Sequence, residues 1–294
     1  MSVAVIGSRG QLGTDLVETL EKTGGYEIFP LSHGDIECTD EASARKVLSS
    51  IKPQVVMNCA AFVRVDECED SPEKAFRVNS LGALYVARAC AEIDALCGLI
   101  STDYVFDGEK GEPYTEDDRP HPINVYGTSK LAGEELVQQT CRRWFIARTA
   151  SLFGKAGAQS KGGNFLETVI SKVKKGEPLR VVDDIRTSPT YTRDAAMVLE
   201  TLIRNQSTGI FHVVNDKGCS WFELAEKTVQ FTGFSCKLEP IRSEDYSMKA
   251  RRPRDSRLTS ARLDRAKGHL RPWDEALLAY LAEKRHVASP NTAS

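Results

Sequence analysis

The chain opens with Val3-Ala4-Val5-Ile6-Gly7-Ser8-Arg9-Gly10-Gln11-Leu12-Gly13, and this stretch decides the fold. Four apolar residues lead into G-x-x-G-x-x-G, and a 3.6-residue apolar repeat follows over Gln11–Thr23. A strand that feeds a glycine turn and then a helix is the setting in which a dinucleotide is held. Glycines let the backbone turn tightly and approach a pyrophosphate. The helix start adds free N–H groups and a partial positive charge. Gly7, Arg9, Gly10, Gln11, Leu12 and Gly13 are therefore candidate cofactor residues.

The alternation continues outward from this turn. Further strands are expected at Tyr26–Leu31, Val55–Asn58, Gly98–Ser101 and Trp144–Arg148, and helices at Glu41–Ile51, Pro72–Ile93 and Tyr126–Thr140. The strands are near-continuous apolar runs, as strands covered on both faces should be. The pattern predicts an α/β protein, a Rossmann-type doubly wound parallel sheet with a smaller C-terminal substrate-binding part. Residues 1–155 form the expected nucleotide-binding domain, rejoined by segments near 179–214. Residues 156–178 and 215–294 form the substrate-binding part. After about residue 150 the texture changes: a Gly- and Lys-rich loop spans 154–163, strands are expected at Leu179–Val182 and Ile210–Val214, and Ser220 with Glu223 reads as a capping box. The tail after Arg285 has little to bury.

Composition narrows the function. The 294 residues carry 39 Lys+Arg against 41 Asp+Glu, a net charge of -2. Such balance speaks against general nucleic-acid or membrane-surface binding. No apolar run approaches the ~20 residues of a membrane helix, and the opening residues do not form a signal peptide. The 8 Cys include no C-x-x-C pair, so reduced, mostly buried thiols in a cytoplasmic protein are expected. None of His33, His121, His212, His269 and His286 has metal-ligand spacing, and no metal is expected. Glu116-Asp117-Asp118 reads as a solvated loop.

Cofactor choice turns on the end of the second strand, Leu31-Ser32-His33, where no carboxylate stands to take a ribose 2′-OH. Arg9 offers a guanidinium to a 2′-phosphate, so NADPH is favoured over NADH. Asp35, 22 residues after Gly13, argues the other way. Chemistry is carried by Tyr126 and Lys130, which share a helix face at i and i+4. A phenol has a pKa of ~10, and a neighbouring ammonium is expected to lower it. At the preceding strand end, Thr102 supplies a hydroxyl at the carboxyl edge of the sheet, where ligands bind in open α/β folds. Thr102, Tyr126 and Lys130 together can polarise a carbonyl, donate a proton and position a nicotinamide.

Several segments resemble the dTDP-4-dehydrorhamnose reductase family of the extended short-chain dehydrogenases/reductases. They are Gly10-Gln11-Leu12-Gly13, Asp35-Ile36, Asn58-Cys59-Ala60-Ala61, Val65-Asp66 and Val78-Asn79. They continue with Ser101-Thr102-Asp103-Tyr104-Val105-Phe106-Asp107-Gly108, Asn124-Val125-Tyr126-Gly127, Lys130-Leu131-Ala132-Gly133-Glu134 and Arg148-Thr149. Pro189-Thr190 and Arg252-Pro253-x-x-Ser256-x-Leu258 complete the set, which covers nearly the whole chain. The resemblance implies reduction of the 4-keto group of a nucleotide sugar, dTDP-4-dehydro-L-rhamnose. Tyr126 would be the proton donor, Thr102 a ligand of the keto oxygen, and Lys130 a partner of both Tyr126 and the nicotinamide ribose. It places Asp35, Ile36, Ala60 and Ala61 along the cofactor groove, and Val65, Asp103, Tyr104 and Arg252 at the substrate. Arg252 has two readings, a diphosphate ligand or a member of a solvated basic loop.

The chain departs from the family at three places. Ser151 holds a position where family members often carry a substrate-packing Trp. Val63 stands where a Thr is usual, and Asp15 where some members place a Mg²⁺-binding Glu. Two other functions share the superfamily: a non-catalytic regulator like the methionine adenosyltransferase beta subunit, and an epimerase or reductase on another nucleotide sugar. A homodimer is left open as the assembly.

Overall fold

Apolar residues alternate between the two faces of the first strand, and each face meets its own set of helices. In the computed structural model, which describes residues 1–156, 163–263 and 270–287, the chain begins β1 (Ser2–Ile6), α1 (Gln11–Thr23), β2 (Glu27–Leu31), α2 (Glu41–Ile51), β3 (Val55–Asn58) and α3 (Val65–Asp70). It continues with α4 (Pro72–Phe76), a π-turn (Arg77–Leu81), α5 (Gly82–Glu92), β4 (Leu96–Thr102), a 3₁₀ turn (Asp103–Val105), α6 (Val125–Thr140) and β5 (Trp144–Thr149). Most of the expected loop at 154–163 and of the tail lies outside the described residues.

After β5 come β6 (Leu152–Phe153), α7 (Phe165–Lys174), β7 (Leu179–Val182), β8 (Arg186–Thr187), β9 (Thr190–Tyr191), α8 (Thr192–Arg204) and β10 (Gly209–His212). β11 (Cys219–Ser220), α9 (Trp221–Thr232), β12 (Leu238–Ile241) and α10 (Trp273–Glu283) complete the described elements. The central sheet runs β10-β5-β4-β3-β1-β2, all parallel. Chain order reverses between β1 and β3, which places a topological switch point at their carboxyl ends.

Val3 and Val5 pack with Leu12, Leu16 and Leu20 of α1 and with Leu199 and Leu202 of α8. Ala4 and Ile6 face the other way, onto Leu48, Val86 and Val137 of α2, α5 and α6. A third cluster gathers Phe153, Leu166, Tyr191, Leu224, Leu277 and Tyr280, so α7, α9 and α10 have a core of their own. Of the segment 179–214, Gly209–His212 joins the central sheet and α8 packs on α1, whereas Leu179–Val182 pairs with β12. The capping box at Ser220 and Glu223 is formed, with each side chain accepting from the other's backbone N–H.

Two local expectations change. The helix read over Pro72–Ile93 is interrupted by the π-turn, which gives Asn79 its position. Its side chain accepts from Phe62 N and donates to Phe62 O and Ser129 Oγ. Glu116 is buried rather than solvated, because the N–H groups of His212 and Ala261 and the Ser260 hydroxyl all reach it. Beside it, burial lowers the His212 imidazole to about 4. The eight cysteines are free, and no helix among the described residues is long and apolar enough to cross a membrane.

Candidate active site

The switch point opens into a cavity of about 830 Å³, within the range usual for ligand sites. Along it lie Gly7, Arg9, Gly10, Gln11, Leu12 and Gly13 from the first turn, Ser32, His33 and Gly34 after β2, and Cys59 and Ala61 after β3. Thr102, Asp103, Tyr104, Tyr126 and Lys130 form its deeper wall, with Val65 at the side. The smaller part contributes Asn164, Phe165, Trp221 and Leu224.

A dinucleotide fits the first turn. A Cβ on Gly13 would lie 2.2 Å from Gly7 O, so only glycine lets α1 start this close to the strand end. Gly10 caps α1 without a side chain, and the first-turn N–H groups, which have no intrahelical acceptor, are left for an anion. Asp35 does not line the cavity. Its carboxylate accepts from Ser32 N at 2.8 Å and Ser32 Oγ at 2.6 Å. Those bonds hold it below the usual carboxylate range, with the Arg9 charge adding to the effect. Both bonds end on one oxygen of the exposed Asp35 carboxylate. Ile36 is buried in the core, and Ala60, also outside the lining, presents its backbone N 3.0 Å from where a Gly7 Cβ would be.

The catalytic candidates converge. α6 starts at Asn124, whose side chain accepts from Gly127 N. Gly127 is required because a Cβ there would sit 2.0 Å from Tyr104 O. This contact seats the helix start on the turn after β4, with the Tyr104 and Tyr126 rings edge-to-face at 5.9 Å. Thr102 donates to Asp103 Oδ1 at 3.0 Å, and its hydroxyl also acts on the Tyr126 phenol, countering part of the rise in its pKa. Lys130 is buried and donates to Ile100 O at 2.6 Å.

The electrostatics differ from the expectation that Lys130 brings the Tyr126 phenol down. Burial pushes that phenol up, against the opposing hydrogen bond from Thr102, so it stays protonated at neutral pH. Burial also lowers the Lys130 ammonium to about 8, against the raising charges of Glu134 and Cys59. Asp103 is raised by burial to about 6, although Ser256 and Thr102 both hydrogen-bond it.

Beneath Lys130 lies a pair not singled out from sequence. Arg148 donates to Glu134 through Nε at 3.0 Å and Nη2 at 2.6 Å, and Ser101 donates its hydroxyl to the same carboxylate. Both side chains are buried, at 2% and 0% exposed. Its signal was the i, i+4 step from Lys130 to Glu134. Breaking a buried pair strands the partner's charge, so Glu134→Gln is expected to cost about 3–5 kcal/mol in urea unfolding. A loss under about 1 kcal/mol would contradict the pairing.

Arg252 is not in the cavity wall. It pairs with Asp66 at 3.0 Å. Burial raises the Asp66 carboxyl, but the bond from Ala250 and the Arg252 charge outweigh it and leave it below its ordinary value. Ser151 does line the cavity, with a left-handed backbone at φ 43° and its hydroxyl 2.8 Å from that of Thr187. Val63 lines it too. Asp15 is buried and accepts from the Thr192 hydroxyl, and no group of three or more metal-ligating side chains occurs among the described residues.

Known proteins resemble this chain in sequence and fold over nearly its whole length. A solved dTDP-4-dehydrorhamnose reductase from Bacillus anthracis in complex with NADP is 36% identical, with a TM-score of 0.90 over 96% of this chain and 99% of that one. A second such reductase structure, from Clostridium acetobutylicum, is 35% identical with a TM-score of 0.92 over 97% and 100%. Among curated relatives, the spore coat polysaccharide biosynthesis protein SpsK of Bacillus subtilis is 38% identical over 282 residues, 96% of this chain and 97% of that protein. The dTDP-4-dehydrorhamnose reductase of Streptomyces griseus is 36% identical over 281 residues, 93% and 90% of the two chains. The family model described as the RmlD substrate binding domain matches residues 1–286, and this chain belongs to that family.

Proposed function

We propose that the protein is a dTDP-4-dehydrorhamnose reductase that uses NADPH to convert the 4-keto group of dTDP-4-dehydro-L-rhamnose to the alcohol. The carrying observation is that Thr102, Tyr126 and Lys130 face one cavity with the glycine turn at the sheet's switch point. When bound, NADPH supplies the hydride. Gly7, Gly10 and Gly13 admit its pyrophosphate, and Arg9 with the Ser32-His33 turn holds the 2′-phosphate. Lys130, charged below about pH 8, is placed to take ribose hydroxyls. Tyr126 keeps its proton until negative charge develops on the keto oxygen and then gives it up, with Thr102 as the second hydrogen-bond partner of that oxygen.

Val65, Asp103 and Tyr104 stand at the sugar end, and Arg252 must leave Asp66 to reach a diphosphate. Residues 1–155, rejoined by α8 and β10 of the segment 179–214, would hold the cofactor, while 156–178 and 215–294, with β7 paired to β12, close over the sugar. The separate core of α7, α9 and α10 supports that division. Eight free thiols favour a cytoplasmic enzyme.

NADPH carrying deuterium at the transferable position tests the reaction type. The label is expected at C4 of the deoxysugar, and product without label there would contradict it. Arg9→Ala is expected to raise the KM for NADPH about 10- to 100-fold, the worth of one charge-assisted hydrogen bond. The KM for NADH should move less than about twofold. An equal rise for both would remove Arg9 from the 2′-phosphate.

A further inference from the structure

The segment 249–258 reaches across to the catalytic half through several bonds. Lys249 N and Ala250 N donate to Asp66, Asn124 Nδ2 donates to Arg251 O, and Tyr114 N donates to Arg257 O. Arg186 N and Ser256 N pin the segment to β8. Its most deeply placed polar group is the Ser256 hydroxyl, 1% exposed, which donates to Asp103 Oδ2 at 2.6 Å. The other carboxylate oxygen accepts from Thr102 at 3.0 Å.

Thr102 has one hydroxyl proton and two lone pairs. Tyr104 N takes one lone pair at 3.2 Å. The single proton is drawn on one side by the Asp103 carboxylate and on the other by the Tyr126 oxygen and, in the proposed reaction, by the keto oxygen beside it. A carboxylate that already accepts a bond from Ser256 competes less strongly for it. We propose that Ser256 is a positioning residue for carbonyl reduction. By fixing and partly satisfying the Asp103 carboxyl, it leaves the Thr102 proton free to turn to the keto oxygen. The C-terminal segment thereby sets the aim of a hydroxyl in the reaction site. The relay rests on the proposed role of Thr102.

A double-mutant cycle reads it. Ser256→Ala is expected to lower kcat for the keto sugar about tenfold, a single competing hydrogen bond's worth, with the KM for NADPH within twofold of the parent. Asp103→Asn cannot carry the competing charge, so in that background Ser256→Ala should cost less than twofold. An isolated packing defect would instead cost the same in both backgrounds and overturn the relay. Ser256→Cys keeps a donor at the position, weaker and bulkier, and should give a loss with the same background dependence. Thr102→Val separates the two levels. If it turns over normally, the role of Thr102 falls and the relay with it. If it is crippled while Ser256→Ala is additive, only the relay falls.

Discussion

Tyr126→Phe is expected to lower kcat by about 10²- to 10⁴-fold, the worth of a positioned proton donor, while NADPH binding stays within a factor of two. The change removes one oxygen and keeps the ring that packs edge-to-face on Tyr104. Burial holds the phenol protonated, so the parent enzyme begins reduction with the proton in place. Single-turnover rates with saturating NADPH separate the chemical step from binding. A variant with near-parent kcat would assign the proton to another group.

Lys130→Met is expected to lower kcat/KM by about 10²-fold or more, the scale of removing one preorganised charged donor from a low-dielectric site, with a raised KM for NADPH. The parent's pH profile carries the sign. Burial depresses the ammonium to about 8, so the charged form is full well below that pH and disappears as pH rises through it. Activity should fall along that limb, and Lys130→Met should lack it. For stability the sign is opposite: a buried base with a depressed pKa opposes folding while charged, and that opposition fades as pH rises from about 8 toward the unfolded value. A parent profile flat through pH 8–9 would mean that the charge of Lys130 is not used.

Local periodicity explains what was legible from sequence. Val3–Ile6, the glycine turn and Gln11–Thr23 announce the fold because strand, turn and helix signals fall within one contiguous stretch. Thr102, Tyr126 and Lys130 were legible because each has a place on an element, a strand end or a helix face. The features that sequence does not show depend on long-range contacts. Ser256 stands in the Arg252-Pro253-x-x-Ser256-x-Leu258 segment, but that segment does not show that its hydroxyl meets Asp103 across 153 residues. Glu116 sits in an acidic run that looks solvated until the Ser260 hydroxyl and the N–H groups of His212 and Ala261 close on it. The pKa of Tyr126 departs from the sequence expectation because a sequence shows the neighbouring Lys130 but not the burial that raises the phenol. Arg252 reads from sequence as a diphosphate ligand or a solvated loop residue, because the chain order hides Asp66, its partner.

The most direct test offers dTDP-4-dehydro-L-rhamnose to the purified protein with NADPH or NADH and follows loss of the reduced-nicotinamide absorbance. The account expects turnover that yields dTDP-L-rhamnose, with the higher kcat/KM for NADPH. No turnover with either cofactor would contradict it.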